Sequence, residues 1–306
     1  MAQSIMERKW WTLILVCVAT FMLLLDVTIV NVALPSIQKA LGANFNDLQW
    51  VIDAYALMLA ALLLTAGSLA DLFGRKRVFI LGLAVFAVAS LLCGLANRPA
   101  VLNLARGVQG IGGAMMFATS LALLAQEFHG RERGTAFGIW GATIAAAAAV
   151  GPLVGGALTE WLGWEYIFFI NVPIGAAAIV VSMAKLRESR DPDAARVDWA
   201  GLVTFSSGLF LIVLALIRGN DAGWGSTQIV LELAVGVLLL ALFVVAEMRQ
   251  ERPMLDLSLF RKPTFGGASI AAFTVSASMF AMFLYVTLYL QNILRLTPVQ
   301  TGLRFL

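Results

Sequence analysis

Apolar residues run along this chain in long uninterrupted stretches rather than alternating with polar ones. Stretches punctuated by turns or charges lie near Trp11–Leu34, Trp50–Ala70, Val78–Ala96, Val101–Ala125 and Thr135–Leu158. Four more follow at Tyr166–Ala184, Trp199–Ile217, Gln228–Ala246 and Phe265–Leu290, and a tenth begins at Thr297. About 20 such residues, as a helix, cross a hydrocarbon core. Each run is roughly twice the length of a barrel strand, and a helix satisfies its own backbone in lipid, so the pattern predicts nine membrane-spanning helices and the start of another. The first run is too long, and too clearly interrupted by Asp26, for a cleaved signal peptide.

Composition agrees with that pattern. Sixty per cent of the residues are hydrophobic and only 13% charged, with a mean hydropathy of +0.89, which excludes a water-soluble fold. Charge then gives orientation. With the N-terminus inside, fifteen of the 21 Lys and Arg fall in inner segments: Arg8, Lys9, Arg75, Lys76, Arg77, Arg131, Arg133, Lys185, Arg187, Arg190, Arg196, Arg249, Arg252, Arg261 and Lys262. The outer loops hold only Lys39, Arg98, Arg218 and Arg295. This bias predicts a cytoplasmic N-terminus, and seven of the eight Trp fall at span ends, Trp140 excepted. The net charge of +3 follows from topology and points to no nucleic-acid partner. Cys17 and Cys93 lie within spans and have neither disulfide nor metal spacing; His129 reads as a solvated loop residue.

Charges inside spans are costly and need a partner, a wet cavity or a function. Asp26, Asp53 and Arg106 are three such residues. At roughly 1.5 Å per residue they lie about 13 Å, 5–9 Å and 10 Å below the outer ends of their helices. That shared depth suggests one polar patch on spans 1, 2 and 4, serving proton coupling or substrate, or else a static pair that pins the helices together. Around the loop after span 2, Asp71 and Arg75–Arg77 carry the unfavourable sign for the helix ends they occupy. Asp71 is expected to pair with Arg75 or with a base of Arg131–Arg133. The glycines of spans 4 and 5, with Pro152, read either as a close-packed helix crossing or as a moving gate.

These stretches resemble the motifs of the major facilitator superfamily. Gly67-Ser-Leu-Ala-Asp71-Leu-Phe-Gly74-Arg75-Lys76-Arg77 resembles its loop signature, and Arg106-Gly-Val-Gln109-Gly110 its span-4 motif. Gly151-Pro152-Leu-Val-Gly155-Gly156 resembles the antiporter motif of exporters. Leu25-Asp26-Val-Thr-Ile-Val-Asn31-Val-Ala-Leu-Pro35 and Phe168-Phe-Ile-Asn171-Val-Pro173-Ile-Gly175 resemble motifs of the fourteen-span drug:proton antiporters of the EmrB/QacA type. The resemblance implies an all-α polytopic membrane protein: a six-helix bundle over residues 1–184, a linker with two extra helices over 185–250, and the truncated start of a second bundle over 251–306.

By that resemblance the chain is a secondary transporter and no enzyme. It implies export of small lipophilic compounds driven by the proton gradient, with no other cofactor and no metal; the intramembrane carboxylates point to cations among them. Arg106 would serve proton coupling, Asp26 and Asp53 would lie near the cavity, Gly67, Asp71, Gly74, Arg75 and Arg77 would form a cytoplasmic latch, and Gly151, Pro152, Gly155 and Gly156 the exporter-type helix interface. An uptake permease is the competing reading, as is a fragment inactive without its second bundle; whether a periplasmic adaptor is needed stays open. The segment after span 6, Lys185-Leu-Arg-Glu-Ser-Arg-Asp-Pro, lacks the sugar-porter signature. A membrane-bound enzyme lacks a paired-histidine site, a nucleophile motif and a soluble domain.

Overall fold

The computed structural model describes residues 2–190, 198–250 and 255–304. Arg196 and Arg252 of the expected inner segments lie outside them. Eight helices have the length and apolar composition to cross a membrane, and no strand occurs among the described residues. In chain order they are α1 (Ala2–Leu41), α2 (Phe45–Phe73), α3 (Arg75–Gly94), α4 (Pro99–Glu127), α5 (Gly130–Trp161), the pair α6 (Tyr166–Phe169) and α7 (Asn171–Lys185), α8 (Trp199–Ala222) and α9 (Thr227–Arg249). The expected ninth span is the helix α10 (Pro263–Leu288), continued by a π turn at Tyr289–Ile293, and the tenth begins as α11 (Pro298–Arg304).

Local chemistry sets the ends. Asn44 and Asp47 form a reciprocal capping box at the start of α2, each side chain accepting from the other's backbone N–H at 2.8 and 3.0 Å. Pro99 opens α4, where a missing N–H costs nothing. Asp198 and Ser226 cap α8 and α9. The sixth span runs over Tyr166–Lys185, close to the expected Tyr166–Ala184, with one break in its helical hydrogen bonding. Pro173 has no N–H to give the carbonyl of Phe169, and the helix is interrupted at Ile170, which divides α6 from α7.

The chain divides into two compact units, residues 1–195 with 296–306, and residues 196–295. In the first, the starts of α1 and α5 meet through Lys9 and Glu132 at 2.7 Å, and Arg8 donates to the carbonyl of Lys185 at the end of α7. Alternate helix ends thus gather their basic residues at one end of the bundle. The interior between them holds Phe79, Leu83 and Phe86 of α3, Met116 and Leu123 of α4, and Val16 and Met22 of α1. Lipid supplies no hydrophobic drive between helices, so close backbone approach does the work. On α4, Gly112 lies against the α3 backbone at Gly82 and Phe86, where a Cβ would stand 2.6 Å from Phe86 N. The short α11 packs on α5, its Val299 N–H donating to Glu160 at 3.3 Å.

In the second unit α8 and α9 pack as a pair, with Gly208 facing Gly236 and the Phe205 and Phe243 rings 5.1 Å apart. Arg218 and Glu232 bridge the pair at 3.2 Å.

Candidate functional site

The first bundle closes around a charged centre. Arg106 and Asp26 are each 1% exposed, and the guanidinium Nη1 donates to the Asp26 carboxylate. The same Nη1 donates to Gln109 Oε1 at 2.6 Å, and Nε donates to the Val51 carbonyl of α2 at 2.9 Å. Below the cation lies the Tyr55 ring, 4.3 Å from Arg106 Cζ, with Phe168 at 5.8 Å. An arginine cannot shed its charge in a protein, so this site meets it with an opposite charge, two oxygen acceptors and two aromatic faces.

The carboxylate is held as fully. Its Oδ1 accepts from Gln109 Nε2 at 2.8 Å and from Asn171 Nδ2 at 3.1 Å. Both amides also donate to Ser90 Oγ, at 2.8 and 3.4 Å. Helices α1, α2, α3, α4 and α7 therefore each contribute a polar group to one dry cluster. Every bond to Asp26 is donated to it. Replacing any one donor leaves a buried acceptor short of a partner.

Of the three groups expected to share a patch, the structure joins two. Asp53 makes no ion pair with Arg106 among the described residues and is partly exposed, whereas Val51 is fully buried. Two residues along a helix is a turn of about 200°, so the helix that offers the Val51 carbonyl to Arg106 carries Asp53 away from it.

The expected pairing of Asp71 with Arg75 is present: Asp71 Oδ1 accepts from Arg75 Nε and Nη2 at 2.9 and 2.8 Å. Gly67 on the same helix packs toward Ala118 of α4, and Arg77 lies 3.6 Å from Glu188. On α5, Gly151, Pro152, Gly155 and Gly156 are buried. A Cβ on Gly151 would collide with the Thr28 side chain, and one on Gly155 would stand 3.0 Å from Ile29 Cα. This is the close-packed crossing, made with α1 two and three residues beyond Asp26. Thr28 Oγ1 donates to the carbonyl of Leu25 at 3.0 Å and reaches that of Ala147 on α5 at 3.5 Å.

Residue reasoning did not single out Ser90, Tyr55 or Glu188, and it cited Gln109 and Asn171 only within motifs. Gln109 was traceable, since it stands three residues after Arg106 on one helix face. Asn171 was too, as a polar side chain inside an apolar run. Ser90 gave no signal, because serines in helices commonly satisfy themselves on their own backbone. Cys17 and Cys93 are free thiols, His129 is exposed, and no His, Cys, Asp or Glu cluster able to hold a metal occurs among the described residues.

Residues 16–306 match the family model of the Major Facilitator Superfamily. The chain is 40% identical over 296 residues to the multidrug resistance protein Stp of Mycobacterium tuberculosis, covering 96% of this chain and 55% of that protein. It is 40% identical over 300 residues to the puromycin resistance protein pur8 of Streptomyces alboniger, covering 98% and 59%. To the tetracenomycin C resistance and export protein of Streptomyces glaucescens it is 38% identical over 306 residues, covering 100% and 57%. The chain thus spans a little over half the length of these relatives. A solved peptide transporter, POT in complex with sulfate, superposes with a TM-score of 0.64 at 16% identity, over 95% of this chain and 64% of that one, and shows the shared fold. The eight apolar helices and these matches identify a multi-pass membrane protein, and the chain belongs to the Major Facilitator Superfamily.

Proposed function

We propose that this chain is the first part of a proton-coupled exporter of small lipophilic compounds, of the fourteen-span drug:proton antiporter type, set in the cell inner membrane with its N-terminus in the cytoplasm. In this reading residues 1–184 form the first bundle, 185–250 the linker and its two extra helices, and 251–306 open the second bundle. The observation that carries it is the dry Asp26–Arg106 pair, because a carboxylate buried against a permanent cation is retained in a membrane at high cost. The names of the resistance and export proteins that this chain resembles support export as the direction and a small molecule as the cargo.

Asp26 takes up and releases the proton, and Arg106 stabilises its charged state. When Asp26 is protonated, the Val51 carbonyl, Gln109 Oε1 and the Tyr55 ring still hold the guanidinium. Neutralisation of the pair loosens α1 from α4 and α7, and the movement passes through Thr28 and Ile29 to the glycines of α5. Asp53, on another face of α2, acts on substrate or interfacial water rather than on Arg106. The Asp71–Arg75 pair serves as the cytoplasmic latch.

The test uses everted vesicles carrying the intact protein, energised with a proton gradient, with ethidium and puromycin as probes. Wild type should accumulate a probe inside the vesicles and lose it when the gradient is collapsed; Asp26→Asn should accumulate none while still inserting. Gradient-driven accumulation by Asp26→Asn at the wild-type rate would remove Asp26 from the coupling role. Uptake in the opposite direction would favour a permease.

A further inference from the structure

Helix α3 begins with Arg75, Lys76 and Arg77, three positive charges at the end of a helix that already carries the positive pole of its dipole. Among the described residues, Asp71 answers Arg75 and neither of the other two. The missing acid comes from 112 residues away. Glu188, three residues past the end of α7, places Oε1 3.1 Å from the Lys76 backbone N–H and 3.0 Å from that of Ser189. Its Oε2 lies 3.6 Å from Arg77 Nε, and the Arg75 N–H donates to the Ser189 carbonyl at 2.9 Å. In return Lys76 Nζ donates to the carbonyls of Met183 and Leu186, at 2.8 and 2.9 Å, at the negative end of α7.

Two packed helices thus exchange caps: the acid after α7 serves the start of α3, and the base at the start of α3 serves the end of α7. Gly74 makes room for the exchange. Its φ of +114° is closed to most side chains, and a Cβ there would stand 2.6 Å from Glu188 Cδ.

We infer that Glu188 is a positioning residue, which with Lys76 clasps the beginning of the linker after α7 to the α2–α3 junction at Gly74 and so holds the Asp71–Arg75 pair in place. The part of the inference that concerns transport rests on the exporter reading; the clasp itself does not.

Hydrogen–deuterium exchange on the intact protein in nanodiscs tests the clasp. Glu188→Ala should speed exchange of the Arg75 and Lys76 amides by about tenfold, leaving the amides in the middle of α4 unchanged. Glu188→Gln keeps an acceptor oxygen but no charge, and should fall between. Ethidium efflux tests the positioning role. Glu188→Ala should lower the maximal rate several-fold at an unchanged half-saturating concentration, Glu188→Asp should recover part of that rate, and Arg187→Ala, an exposed neighbour, should match wild type. Wild-type exchange at Arg75 and Lys76 in Glu188→Ala would overturn the clasp, and faster exchange with undiminished efflux would overturn its role in transport. A wild-type protein that exports no probe would sink the exporter reading instead, and the exchange data alone would then decide the clasp.

Discussion

Two aspartate–arginine pairs sit in the same bundle and do different physical work. In Asp26–Arg106 the side chains are 0% and 1% exposed, and in Asp71–Arg75 they are 39% and 22% exposed. The buried pair joins two helices across 80 residues of sequence and is completed by groups from three more, whereas the exposed one spans a single turn of backbone at a loop. Dry charges interact strongly and each is costly without the other, so the buried pair is energetically coupled. Wet charges are screened, and what the loop pair contributes is geometry rather than energy. Charge alone does not mark a functional group here; its distance from water decides what removing it does.

That contrast orders the expected effects. Arg106→Gln alone strands a carboxylate, and Asp26→Asn alone leaves the guanidinium with its neutral acceptors but without its counter-charge. Each should destabilise the bundle by about 3–5 kcal/mol, read as thermal unfolding in detergent. Loss of less than about 1 kcal/mol in both would place water at the pair and erase the difference between the two regions.

Next comes the helix crossing beside Asp26. Gly151→Val inserts a branched side chain where a single Cβ already meets Thr28, and should cost about 1–3 kcal/mol by overpacking. If the neighbours adjust freely, the crossing does not transmit movement at Asp26. Asp71→Asn should change stability by only about 0.2–1 kcal/mol, and raising the salt concentration should shrink even that, as befits a pair in contact with water. A larger, salt-independent loss would make the loop pair a second buried unit.

Smallest of all is Asp53→Asn, expected within about 0.5 kcal/mol of wild type because the side chain is partly exposed and answers neither Arg106 nor Asp26. Its effect should appear in ethidium transport or nowhere. A stability loss equal to that of Asp26→Asn would return Asp53 to the charged centre.

The spans were legible because length and apolarity decide them, and bilayer physics leaves the backbone few other choices. Depth was legible as well: counting from helix ends set Asp26 and Arg106 at similar levels, and they meet. Rotation about each helix axis was not. Asp53 shares the depth band yet lies on a different face from Val51, and only packing fixes that angle. The wrong-sign charges opening α3 were legible, but nothing in the sequence pointed to Glu188, 112 residues away from Lys76, as the acid that answers them. Tryptophan placement misled once. Trp164 stands at a span end as an interfacial anchor would, yet it is 5% exposed and packs edge-on against Phe168.

The central claim, that Asp26 and Arg106 act as one unit in a dry interior, is most directly tested by a double-mutant cycle of Asp26→Asn and Arg106→Gln on thermal stability in detergent. The account predicts that the double variant is more stable than either single one, with a coupling energy of about 2–3 kcal/mol, since removing both charges strands neither. Additive losses within about 0.5 kcal/mol would mean that each charge is compensated separately, and would contradict it.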